Sequence, residues 1–146
     1  MTTLIHPVDP KRITDTFGTH SELRKSLGLG PHRGVDYGIP RGTPLKAVGS
    51  GTIVKVYRSE ILGWVVELRT YVTAEKIRIF AYCHLDGVTI KEGTKVKQGD
   101  VIGVSGNSGT SSGPHLHFMC GKSEHLATSP VEDPMQWLPK DGVKGK

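Results

Sequence analysis

The sequence predicts a mostly β protein, and three observations carry the prediction. Glycine and proline are frequent, with Gly 19 and Pro 9 in 146 residues, which suits short strands joined by tight turns better than a helical bundle. Five stretches are rich in β-prone residues, several with apolar and polar positions alternating, the period of a strand with one buried face. Only one segment has a helical spacing. At 146 residues the chain fits a single domain, 1–146, long enough to bury a substantial core without staples.

The elements are read in chain order. "THSELRKSLGLG", residues 19–30, places Leu23 and Leu27 four apart and closes on Gly28 and Gly30, so a short helix or ordered loop is expected. "GTIVKVYR" (51–58), "WVVELRTYV" (64–72) and "KIRIFAYCHL" (76–85) read as strands, with "TAEK" as the hairpin connection between the last two. "VKQGDVIGVSG" (96–106) is a turn-and-strand unit bending at Gly99-Asp100. "HLHFMC" (115–120) is a last central strand, with His115, His117 and Met119 pointing inward and Leu116, Phe118 and Cys120 outward. In the tail, Trp137 and Leu138 are expected to pack on the domain and residues 139–146 to be loose.

Composition narrows the function classes. Apolar residues make up 36% and charged residues 23%, as in ordinary soluble globular proteins. The start, "MTTLIHPVDPKR", has no apolar stretch suited to a signal peptide, and no run of about 18 apolar residues occurs. A cytoplasmic product with no stable membrane insertion is therefore expected. The net charge of +5 favours anionic partners. The basic residues are scattered, however, and no basic strand with interleaved aromatics marks a nucleic-acid partner. Cys83 and Cys120 do not make a disulfide framework. By strand parity both thiols would face away from the histidines.

Chemistry concentrates in two places. "GTSSGPHLHFMCG" (109–121) sets His115 and His117 two apart, on one face of a strand. Taken alone, the pair could be a metal site, a proton-transfer pair or a coincidence among seven histidines. "PHRGVDYGIP" sets His32 and Asp36 four apart, offering a nitrogen and an oxygen donor of the kind zinc takes. It could equally be a hydrogen-bonded surface pair. Two such donors plus one imidazole of the later pair would leave a fourth zinc position open for water, as catalytic sites do. His84, in "AYCHLD", reads alone as a strand-end histidine, and nothing near His6, His20 or His125 suggests ligands.

In order, "HRGVDYGIPRGTPLKAVGSGTIV", "AYCHLD" and "VKQGDVIGVSGNSGTSSGPHLHF" resemble the LytM/lysostaphin-type zinc endopeptidases, the M23 family, over residues 30–121. The resemblance implies an antiparallel sheet bent into a groove, with few short helices. It implies one Zn2+ per chain on His32, Asp36 and His117, with His115 and His84 assisting catalysis. His115 is the better candidate for the base, while His84, if protonated, would stabilise the oxyanion or protonate the leaving nitrogen; the sequence leaves open which of the two does which. It implies hydrolysis of peptide bonds in bacterial peptidoglycan by a monomer. A small chain without a signal peptide suggests a bacteriophage endolysin, made in the host cytoplasm and released onto the wall, or a virion-associated enzyme. The glycine and serine run 106–113 is expected to form the cleft wall, with Asn107 bonding the substrate or the loop itself; Tyr82 is a further candidate substrate contact and Tyr37 a further cleft candidate. Residues 19–31 and 59–63 are the candidate specificity loops. Where family members often carry an acidic residue after "HLHF", this chain has Met119.

Three other readings carry less. "EGTKVKQGDVIG" is similar to the hairpin of biotinyl and lipoyl carriers, but Lys97 lacks the flanking residues of a modified lysine. Cupins use H-x-H too, although there the pair precedes the later ligand strand. A non-catalytic wall-binding or interaction module of the same fold is the stronger alternative, yet such members usually lose ligands, and all five positions are present.

Overall fold

The computed structural model describes residues 3–111 and 113–140. Nine strands dominate: β1 Ile13–Asp15, β2 Val35–Tyr37, β3 Pro44–Lys46, β4 Gly51–Ser59, β5 Gly63–Tyr71, β6 Ile77–Leu85, β7 Lys95–Val96, β8 Val101–Val104 and β9 Leu116–Gly121. Seven form one antiparallel sheet in the order β1-β2-β9-β6-β5-β4-β7, and β3 pairs with β8 beside it. Within 19–30 there is a one-turn helix, α1 (Glu22–Ser26), capped by the Ser21 side chain accepting from Arg24 N. Two single 3-10 turns, Pro10–Arg12 and Pro134–Gln136, each start on an aspartate cap followed by proline. Among the described residues no helix is long and apolar enough to cross a membrane.

The large sheet is buried on both faces. One face carries Val35, Tyr37, Ile53, Leu68, Phe80, Tyr82, Leu116, Phe118 and Cys120, all fully buried. Phe80 and Phe118 stack at 5.4 Å, and Tyr82 meets Phe118 edge-on at 5.0 Å. Each of these rings contributes roughly 1.5–3 kcal/mol of apolar burial. The other face carries Val65, Ile79, Ala81, Cys83, Met119 and Leu126.

Three expectations are corrected here. Leu116, Phe118 and Cys120 do not point outward but enter the larger core. β9 lies between β2 and β6, so its alternation separates two packed faces instead of core from water. Cys83 does not face away from the histidines either. It is the Cα partner of His117 and shares its face. Both thiols are free and buried, and burial pushes their pKa values up. Finally, residue 139 is anchored. His6 donates from Nε2 to the Pro139 carbonyl at 2.6 Å and accepts at Nδ1 from the Tyr37 hydroxyl at 2.9 Å. Leu138 is buried, and Trp137 donates from Nε1 to Glu132 at 3.1 Å. The expected loose tail otherwise falls at 141–146, outside the described residues.

Candidate metal centre

Strand register builds the site. Asp36 on β2 is the direct antiparallel partner of His117 on β9, so their side chains leave the sheet on one face. His32 precedes β2 and reaches the same point because Gly34, between them, lets the chain hug β9. A Cβ at Gly34 would collide with the Phe118 carbonyl and lie 3.0 Å from the His117 ring.

His117 Nδ1 lies 2.9 Å from Asp36 Oδ1, His32 Nε2 lies 3.2 Å from Asp36 Oδ2, and the two ring nitrogens are 3.2 Å apart. Zinc–nitrogen bonds of about 2.0–2.1 Å in a tetrahedron put donor atoms about 3.3 Å apart. The trio is therefore close to a tetrahedral zinc face. The tautomer of His32 agrees. Its Nδ1 donates to the Thr16 carbonyl at 3.1 Å, which frees the Nε2 lone pair for a cation. His32 and His117 are buried at 5% and 8% exposure. Asp36, at 22%, forms the open side. Burial alone would push the Asp36 carboxyl up, but the His117 and His32 rings beside it hold it well below the usual carboxylate range. Burial pulls His117 down, whereas at His32 the Asp36 partner outweighs burial and the pKa is raised.

His84 and His115 form a second pair, with ring centroids 4.8 Å apart. A bulge in β6 opposite Trp64–Val66 places His84 at φ +63°, unusual for a non-glycine residue, and re-aims its ring. Its Nδ1 donates to the Ser108 carbonyl at 2.7 Å, and His115 Nδ1 donates to the Gly113 carbonyl at 2.8 Å. Carbonyls only accept, so in the neutral form both rings keep Nε2 as an acceptor. His115 Nε2 lies 3.9 Å from Asp36 Oδ1. At His84 burial, reinforced by the nearby His115 and His117, pulls the pKa down to about 4, which favours the neutral ring.

Tyr82 is also corrected. Parity on β6 sends it with Phe80 into the larger core, where it is fully buried, its hydroxyl donating to Lys46 O and accepting from Val48 N. It does not line a groove. Tyr37 is likewise fully buried. Asn107 sits in the loop beside the site, between Gly106, which bridges to His115, and Ser108. Its Oδ1 is buried and has no hydrogen-bond partner among the described residues. Both candidate specificity loops border the site. The 19–31 excursion is closed at its base, where Gly18 N donates to His32 O and His32 N donates to Thr19 O, both at 2.8 Å. Turn 59–63 accepts at Leu62 O from His84 N and at Ile61 O from Thr110 N.

Asp15 and Arg33, absent from the sequence reading, and Ser108, read there only as part of the run 106–113, also shape the site. Asp15 Oδ2 lies 3.3 Å from His32 Nδ1. Ser108 Oγ ties its loop to Leu85 O and Trp64 N under His84. Arg33 donates to the carbonyls of Leu126, Ala127 and Ser129. Asp15 and Arg33 have no local signal, because each acts through contacts distant in sequence.

The family model described as Peptidase family M23 matches residues 30–130. The chain belongs to peptidase family M23. Among its relatives, the peptidoglycan DD-endopeptidase ShyA of Vibrio cholerae is 36% identical over 117 residues, 77% of this chain and 26% of ShyA. Lysostaphin of Staphylococcus simulans is 34% identical over 139 residues, 84% of this chain and 26% of lysostaphin. The chain thus spans about a quarter of the length of these curated relatives. The solved catalytic domain of lysostaphin superposes with a TM-score of 0.71 at 33% identity, covering 86% of this chain and 90% of that domain. The catalytic domain of EnpA, a prophage-encoded M23 protein of Enterococcus faecalis solved as a point mutant, gives 0.72 at 29% identity, covering 90% and 95%. The mostly β antiparallel fold read from the sequence is that of these catalytic domains.

Proposed function

We propose that this M23 chain is a zinc-dependent endopeptidase that hydrolyses peptide bonds in bacterial peptidoglycan, in phage-driven lysis of a host cell. The observation that carries the reading is the convergence of His32, Asp36 and His117 at zinc-shell spacing, beside two histidines whose Nε2 atoms are both left as acceptors. The named activity of ShyA supports the substrate class. The prophage origin of EnpA and the net charge of +5, suited to an anionic wall, support the setting.

His32, Asp36 and His117 would hold one Zn2+. When bound, the ion polarises the scissile carbonyl and lowers the pKa of coordinated water toward about 7. His115 takes the proton of the attacking water at Nε2, because the charge it gains is offset by Asp36 at 3.9 Å. It then returns that proton to the leaving nitrogen. His84 stays neutral, since its burial opposes a second positive charge beside His115. With Nδ1 tied to Ser108, its Nε2 accepts a hydrogen bond and orients the water or the substrate amide.

Digestion of isolated peptidoglycan tests the reading. Purified protein is expected to release new amino termini, to stop with chelator and to resume with zinc, while mass analysis of the fragments names the bond. Walls left intact by protein that binds zinc and sediments with them would replace the enzyme with a binding module.

A further inference from the structure

The imidazole of His32 is bracketed by two carboxylates. Asp36 faces Nε2 at 3.2 Å, and Asp15 faces Nδ1 at 3.3 Å. The bracket is built by the sheet, since Asp15 on β1 is the antiparallel Cα partner of Asp36 on β2. The segment carrying Asp15 grips His32 at further points. Thr16 O accepts from Nδ1 at 3.1 Å, Gly18 N donates to His32 O, and Thr19 O accepts from His32 N. Asp15 is itself oriented, with Oδ1 accepting from Thr16 N at 3.1 Å. The Nδ1 proton is aimed at the Thr16 carbonyl, which fixes the tautomer, so the carboxylate beside it contributes charge.

We propose that Asp15 is a positioning residue of the metal centre, its negative charge acting through the His32 ring to strengthen the hold on a divalent cation. The proposal rests on the zinc reading above. Two neutral imidazoles and Asp36 leave a divalent ion with one net positive charge, and Asp15 cancels it. A carboxylate behind a ligating histidine raises the basicity of the nitrogen facing the metal, and losing such a partner typically weakens metal binding about 10–100-fold.

The test is zinc affinity, read by competition with a chromophoric chelator, for the wild type, Asp15→Asn and Asp15→Ser. Asparagine keeps the shape of the side chain and serine keeps an oxygen for Thr16 N, while both remove the charge. Each is expected to bind zinc about 10-fold or more weakly, with the urea midpoint of the chelator-treated protein unchanged. Two results would overturn the role: affinities within about twofold of wild type, or unfolding of both variants in chelator, which would make Asp15 a determinant of the fold. A wild type that takes up no zinc would instead overturn the metallopeptidase reading, and Asp15's role with it.

Discussion

His115 Nε2 lies 3.9 Å from Asp36 Oδ1, and its Nδ1 is tied to the Gly113 carbonyl at 2.8 Å. The ring is therefore held beside the metal ligands without being one of them. His115→Ala is expected to lower kcat by about 10²–10⁴-fold, the range for loss of a positioned base. Zinc content should stay at one per chain. Steady-state kinetics on purified muropeptides with parallel metal analysis checks this, and loss of zinc along with turnover would make His115 a ligand.

Gly34 is required by contact and not by its torsion angles. The Cβ of Gly34→Ala would strike the Phe118 carbonyl and crowd His117, and neither can retreat within the β2–β9 pairing. The variant is expected to lose roughly 1–3 kcal/mol of stability, as overpacked positions do, and to retain less zinc after dialysis. Urea unfolding and metal analysis read the two effects separately.

Glu67 is a fully buried carboxylate in the middle of β5, on the face of the metal ligands. It accepts from Tyr57 Oη at 2.6 Å and from the backbone N–H groups of His125 and Leu126, each at 2.7 Å. The loop it fixes also receives Arg33, the neighbour of His32. In Glu67→Gln one acceptor becomes a donor facing a donor, so a loss of at least about 1.5–3 kcal/mol is expected. Urea unfolding gives the size of the loss. Limited proteolysis should show early cleavage within 122–129, and a variant as resistant as wild type would remove Glu67 from this role.

Glu132 sets an acid limit. Burial alone would raise its carboxyl, but hydrogen bonds from Arg78 and Trp137 outweigh it and hold the pKa below the ordinary 4.5. A carboxyl with a depressed folded-state pKa contributes stability that is complete above its unfolded value. That stability is lost as pH falls through the folded one. Wild type should therefore lose this contribution below about pH 4.5, and Glu132→Gln should lose less over the same interval. Urea midpoints between pH 7 and pH 3 for the two proteins give the comparison, and parallel curves would show that the contacts of Glu132 do not matter to stability.

Much of the fold was legible because period and spacing carry it. The hairpin 64–85, the bend at Gly99-Asp100 and the strand through His117 all rest on local pattern. The closeness of His32, Asp36 and His117 was legible through H-x-x-x-D and H-x-H in order. What stayed hidden depends on tertiary context. Parity assigned Cys83 away from the histidines, because a bulge at His84 with φ +63° has no sequence signature. Tyr82 is a candidate substrate contact by sequence, yet it alternates with Phe80, whose partners in the core come from β9. Asp15 carries no sequence signal, because β1 has three residues and no periodicity and its meeting with His32 is a product of strand pairing.

An X-ray absorption spectrum at the zinc edge of the zinc-loaded protein most directly tests the assignment of His32, Asp36 and His117. The expected spectrum has only nitrogen and oxygen neighbours at about 2.0–2.2 Å, with the outer scattering of two imidazoles. A sulfur shell at about 2.3 Å, which would bring in Cys83, the cross-strand neighbour of His117, or a spectrum without imidazole scattering would contradict it.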